Sequence, residues 1–412
     1  MRPSERQLRA QLAFFHDFIR VQAERGDPYA KVLNVPESPY PHFEEIRARG
    51  PLHQSSIGAW VTADHALANQ ILRDRRFGVR KASGERLPEF IGFDNSMLGA
   101  DPPDHTRLRR IATPTLNPRM AEGWRTRIEE ICDRLIDEIL AEAGPFDLMT
   151  AFAQRLPVAL IADLVGIPDG HRDDFHRISR RMTPLLEGVV TYEQTQSTET
   201  AIREITDLLV DVIAQRKADP RDDMITRLLG LVDEGTMTMA ELVPMVTFVP
   251  LAGSETTVNL IGNGVLALLS HPEQWRLLVE RPELAAGVAE ETLRFDPPVQ
   301  QYRRIVHERL ELAGCTLPVD GELAIMVGGA NRDPKVFPDP NTFDITRSVG
   351  ADTLAFSAGI HYCMGANLAK LEAEIAFRAL ATRMPGLRRA GRIRRGSSFI
   401  IRGMAEFPVA AR

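Results

Sequence analysis

Apolar residues recur at helical spacing through most of the chain. In RIEEICDRLIDEILAEA (127–143), Ile128, Ile131, Leu135, Ile139 and Leu140 fall on one stripe, which predicts a helix with one buried face. This texture runs from Ser4 to about residue 295. Between residues 302 and 355 the period changes: short apolar runs such as ELAIMVGGA alternate with punctuation such as NRDPKVFPDPNTFD, which predicts strands, turns and loops. ELAGCTLPVDGE reads as a hairpin. Helical spacing resumes beyond residue 363, with Met364, Leu368, Leu371, Ile375 and Ala379 on one stripe and Pro385 past its end. The pattern predicts a mainly α chain with a smaller β-rich region. Without a repeat, a low-complexity tract or a linker, residues 1–412 read as one domain with helix-rich and β-rich subregions.

Composition narrows the function classes. The 412 residues are 44% hydrophobic and 26% charged, enough apolar material for a large core. A net charge of −6 argues against nucleic acid, whose phosphates require a basic excess. No apolar run approaches the roughly 18 residues of a membrane span, and the start MRPSERQLRAQLAFFHDF breaks its apolar residues with charge. A cytoplasmic protein with no membrane segment is expected. The three cysteines, Cys132, Cys315 and Cys363, form no CxxC pair and are expected to be reduced. Cys132 and Cys315 sit in patterned segments and read as packing residues. Cys363 differs: in FSAGIHYCMGANLAK (356–370) it lies between Gly359 and Gly365 at the start of a predicted helix. There the positive end of the helix dipole and free N–H groups favour a thiolate, and glycine lets a flat partner approach the backbone.

The full stretch fits F-x-x-G-x-H-x-C-x-G-x-x-L-A and resembles the cytochrome P450 family, the haem-thiolate monooxygenases. The resemblance implies the P450 fold, with heme b between a long central helix and the cysteine-bearing loop. It makes Cys363 the axial iron ligand, sets Phe356 beside the sulfur and Gly359 in the same loop, and turns His361 toward a haem propionate. Three further segments follow the family's order. AGSETT (252–257) resembles the oxygen groove of the central helix, with Ala252 against the haem and Glu255 and Thr256 as the acid and alcohol that deliver protons to the reacting oxygen. ETLR (291–294) with FDITR (343–347) resembles the ion network Glu291, Arg294 and Arg347, expected to brace the loop that carries Cys363. DPPDHTRLRR (101–110) places His105 and Arg109 on one helical face, and Arg304 of QYRRIV joins them as propionate partners. The resemblance spans about residues 40–412 and leaves residues 1–40 as an N-terminal extension.

Two expectations concern the pocket. Pro250, six residues before Thr256, predicts a bend or widened turn in the central helix. Strand alternation puts Gln300, Tyr302 and Arg304 on one face, and the resemblance turns that face toward substrate, with Phe90, Ile91, Phe93, Phe248, Leu251, Phe399 and Ile400 as the apolar remainder. An amide and a phenol there predict an oxygenated substrate, such as a polyketide or a glycosylated natural product. The basic residues are 45 Arg and 5 Lys, 50 in all, a skew typical of GC-rich bacterial genomes. No GxGxxG follows a strand and no iron–sulfur cysteine set is present, so electrons are expected from an external ferredoxin and an NAD(P)H-dependent reductase, attracted by Arg107, Arg110 and Lys370. The alternatives are a non-catalytic haem-binding partner of another biosynthetic enzyme, a redox or gas sensor, and a zinc site on His361 and Cys363 that lacks two ligands.

Overall fold

The computed structural model describes residues 4–35, 37–85, 97–182, 191–348 and 352–411, and it leaves the side chains of Arg180 and Leu251 undescribed. Phe90, Ile91 and Phe93 therefore lie outside the described residues, and so does the Leu251 side chain.

The predicted helical stripe at 127–143 forms the helix Arg125–Ala141, with Ile128, Ile131, Leu135 and Ile139 buried, Cys132 buried among them, and Leu140 partly covered. It packs against Ala366–Arg383, the helix that follows Cys363, and against Arg155–Val165. Ala366–Arg383 and Arg155–Val165 in turn pack on the 32-residue helix Met239–Ser270, about 48 Å long at 1.5 Å per residue. That helix is apolar nearly all round, which suits an element enclosed by neighbours. At its start the Glu241 carboxylate accepts from the Thr238 N–H (2.9 Å), satisfying a donor that the helix leaves open. It runs as α-helix through Pro250, and the widened turn expected there is absent. Proline carries no N–H, so one donor is lost while the flanking turns keep their α geometry.

A mixed sheet of five described strands covers one end of the bundle. Its order is His53–Gln54, Trp60–Thr62, Glu322–Met326, Gln301–Val306 and Phe77–Gly78, with only Trp60–Thr62 and Glu322–Met326 parallel. Tyr302 opposes Ile325 and Arg304 opposes Leu323, so both side chains stand on the face that packs toward Leu354 and Ala358 at the start of the Cys363 loop. The hairpin expected around Cys315 forms between Leu310–Leu312 and Cys315–Leu317, turning at Ala313 and Gly314 with positive φ at both. Among the described residues no helix is long and apolar enough to cross a membrane.

Residues expected to be an extension form the helix Glu5–Glu24, opened by a capping box in which Ser4 accepts from the Gln7 N–H and the Gln7 side chain accepts from the Ser4 N–H. Leu8, Leu12 and Ile19 on its inner face are buried. It packs on Pro28–Leu33 and on the start of Tyr192–Ala218.

Candidate active site

The Cys363 loop is shaped by its own backbone. The Cys363 N–H donates to the Phe356 carbonyl (2.9 Å) and the Tyr362 N–H to that of Gly359 (3.2 Å), closing residues 356–363 just before the helix begins. Ser357 and Gly359 take positive φ, and a Cβ at Gly359 would meet the Leu72 carbonyl oxygen at 2.5 Å. Gly359 thus serves the loop's close approach to His65–Arg73 and does not line the cavity. The Cys363 side chain is exposed onto a cavity of about 1110 Å³ that it lines. Desolvation by the protein around it raises the thiol above its ordinary 9.0, against the opposing pull of the Gly365 N–H, the Arg109 charge and the Ala366 N–H.

Four basic side chains from three distant segments meet above this loop. His105 and Arg109 come from the helix Asp104–Ala112, Arg304 from the sheet and His361 from the loop itself, and all four line the cavity. The two imidazoles lie 4.3 Å apart between centroids, and His105 Nδ1 and His361 Nε2 are buried without a partner. Burial, and then the charge of Arg304, His105 and Arg109, depresses His361 to about 3. His105 is lowered by burial and then by Arg109. Arg304 is buried with, among the described residues, the Arg303 carbonyl (2.9 Å) and the Ser357 hydroxyl (3.4 Å) as hydrogen-bond partners, and burial lowers it to about 10. Arg109 donates to the Tyr362 carbonyl. Neither arginine pairs with a carboxylate among the described residues. Two guanidiniums beside two orphaned ring nitrogens make a site for anions that the described residues do not themselves supply.

The central helix presents Ala252, Gly253, Thr256 and Thr257 to the same cavity. The Thr256 hydroxyl donates to the Ala252 carbonyl (3.0 Å). Glu255 does not line the cavity; its carboxylate accepts from the Asn259 amide (2.9 Å), one turn along the same face. Asn259, which also reaches the Glu255 carbonyl (3.0 Å), escaped the sequence reading, although its i+4 spacing from an acid was visible.

The ion network forms. Arg294 grips both oxygens of Glu291 (2.7 Å each), and Arg347 adds a third contact at 3.2 Å. Further donors of the two arginines go to the carbonyls of Pro338, Asp339, Pro340, Thr342 and Asn331, so the network holds the segment upstream of the Cys363 loop. The link onward is Asn331, whose carboxamide donates to the Leu293 carbonyl (3.1 Å) and accepts from the Leu354 N–H (2.8 Å).

The family profile described as "Cytochrome P450" matches residues 52–382. The chain belongs to the cytochrome P450 family. Its curated relatives include Cytochrome P450 107B1 of Saccharopolyspora erythraea, 39% identical over 86% of this chain and 90% of the relative. The 6-deoxyerythronolide B hydroxylase of the same organism is 33% identical over 90% of this chain and 95% of its own. Among solved structures, P450BioI in complex with an acyl carrier protein ligated to hexadec-9Z-enoic acid superposes with a TM-score of 0.84 at 32% identity, covering 91% of this chain and 98% of that one.

A P450 is an oxidoreductase whose cofactor is haem-thiolate iron. The residues here fit that group. A cysteine lines a cavity that also carries two arginines without a carboxylate partner among the described residues and two unpartnered ring nitrogens, a donor set suited to carboxylates, and a Cβ at Gly365 would meet nothing nearer than the sulfur, at 3.9 Å. His361 and Cys363 gain no further metal-ligand cluster among the described residues, so the zinc alternative has no support in the donor set.

The substrate side differs from expectation. Phe248, Phe399 and Ile400 line the cavity, as does Phe356. Gln300 does not: it precedes the strand, and its amide donates to the Pro297 carbonyl (2.7 Å). Tyr302 lines the cavity, but its hydroxyl is committed to the Ala355 carbonyl (2.7 Å). The cavity's polar amide is Gln301, whose carboxamide oxygen is buried without a partner. Of the cations expected to attract a redox partner, Arg107 pairs with Glu241 and Lys370 with Glu290 (2.7 Å). Arg110 stays exposed.

Proposed function

We propose that this P450 inserts one oxygen atom from dioxygen into an elongated, largely apolar secondary metabolite of acyl or polyketide origin. The carrying observation is one continuous cavity that joins the Cys363 sulfur, the cationic cluster and Thr256 to an apolar lining of Met245, Phe248, Val249, Phe399 and Ile400. Cys363 would hold the haem iron through its sulfur, and Arg304, Arg109, His105 and His361 would hold the propionates; when bound, the haem would supply the activation of dioxygen. Thr256 holds a water by its hydroxyl next to the reacting centre. Glu255, released from Asn259, swings to bring protons to that water from outside. The apolar walls keep other water out. Electrons come from a separate ferredoxin and its reductase, docking near Arg110. The apolar lining and the engaged Tyr302 hydroxyl favour this substrate class over a heavily glycosylated one. Support also comes from the relative named for hydroxylating 6-deoxyerythronolide B and from the solved relative that carries a hexadecenoic acyl group.

The test is a spectral titration of the ferric protein with fatty acids, acyl thioesters and macrolactones, followed by turnover with ferredoxin and reductase. Tight binding of the apolar members and oxygenated product are expected. A ferrous carbonyl adduct without the red-shifted Soret band of a thiolate, or one that keeps that band in Cys363→Ser, would overturn the assignment.

A further inference from the structure

The cavity does not end at the family's own segments. It continues to the helix Glu5–Glu24, where Phe15, Phe18 and Ile19 form part of its wall, together with Tyr29 and Leu33 of the next helix. These residues precede the stretch that matches the family profile. Along the helix, Leu8, Leu12 and Ile19 are buried, whereas Phe15 and Phe18 are only half-covered and leave ring surface open to the cavity. Phe14, one position away, stacks on Phe18 at 6.3 Å but is 73% exposed on the outer side. The helix is tied to Tyr192–Ala218 by Arg9, which pairs with Glu193 (2.7 Å) and lies over the Tyr192 ring at 4.4 Å. Beside Tyr29 the same space is lined by Gln301, whose carboxamide oxygen has no partner. Half-covered aromatic rings on the wall of an apolar cavity bury further surface only when a ligand reaches them.

We propose that the N-terminal helix is a specificity-determining wall of the active site, with the rings of Phe15 and Phe18 binding the far, apolar end of a substrate whose other end lies at Cys363. The inference rests on the cavity being the active site. It defines the substrate by length: a compound confined to the Thr256 end gains nothing from this helix, whereas one that spans the cavity does. A hydrogen-bond donor along the substrate would meet Gln301.

The test uses the full-length ferric haem protein and two imidazoles that ligate iron equally but differ in reach, N-methylimidazole and N-decylimidazole, with affinity read from the Soret shift. The double variant Phe15→Ala/Phe18→Ala is expected to weaken N-decylimidazole about tenfold while N-methylimidazole stays within about twofold. Gln11→Ala, on the exposed face of the same helix, should change neither. Phe18→Trp, which fills the space and keeps an aromatic ring, should also weaken the long ligand alone. Equal loss of both ligands in Phe18→Trp, or an unchanged long ligand in the double variant, overturns the wall. Failure of the unmodified protein to shift with N-methylimidazole is a different result: it overturns the active-site reading and the wall with it.

Discussion

Replacing Arg294 by lysine keeps the charge and removes the fork. The guanidinium donates to both Glu291 oxygens (2.7 Å each) and to the carbonyls of Thr342 (2.9 Å), Pro340 (2.8 Å) and Asn331 (3.4 Å). Arg294 is 0% and Glu291 2% exposed, so water cannot replace what is lost. An ammonium has three donors, so at least two of these five contacts are lost. Each lost contact in this buried site costs about 1–3 kcal/mol. At about 2.1 cal/mol/K of unfolding entropy per residue over 412 residues, Arg294→Lys should melt about 2–7 °C below the parent. Thermal melting followed by circular dichroism reads this directly. The Thr342 and Pro340 carbonyls belong to the segment that Arg347 also holds, so proteolysis there should accelerate in the variant. A melting point within about 1 °C of the parent refutes the reasoning, since it would mean that charge alone, without the planar fork, holds the network.

Thr256→Val removes the hydroxyl placed at the proton-delivery side, and product formation should fall about 10²-fold with little change in substrate affinity; oxygenated product measured against NAD(P)H consumed checks this, and an unchanged ratio refutes it. Gly359→Ala puts a Cβ 2.5 Å from the Leu72 carbonyl at a positive φ. A loss of about 1–3 kcal/mol is expected, with weaker haem retention in a dilution assay; parental retention would exclude a role for that close approach. Asp27 caps the helix Pro28–Leu33. Burial by itself would raise its pKa, but the N–H groups of Ala30 and Ser56 and the hydroxyls of Ser55 and Ser56 hold it below 3.8. A depressed carboxylate stabilises the fold above its unfolded value and loses that effect as pH falls through the folded value. Asp27→Ala should therefore cost about 1–2 kcal/mol at neutral pH, with the gap to the parent closing below about pH 4. A gap that stays constant into acid contradicts the assignment.

Local order was legible in the residues. The stripe of Ile128, Ile131, Leu135 and Ile139 gave a helix because burial at helical spacing is decided within one element, and Ala313-Gly314 gave a hairpin turn because its dihedrals are set by neighbours. The motif around Cys363 named the family for a similar reason: its spacing is a property of a single loop and helix start. What each side chain reaches across the fold was decided only in three dimensions. Strand alternation assigned Tyr302 and Arg304 to one face, yet the Tyr302 hydroxyl is consumed by Ala355, Gln300 falls outside the strand, and Gln301 reaches the cavity. At Cys363 the charge that opposes desolvation comes from Arg109, on the helix Asp104–Ala112 far earlier in the chain, and no local spacing announces it. The first helix, which no motif marks, becomes a wall of the cavity through packing on Tyr192–Ala218. Desolvation and long-range contact depend on which segments the chain folds together, and the spacing of residues along one segment carries no record of its neighbours.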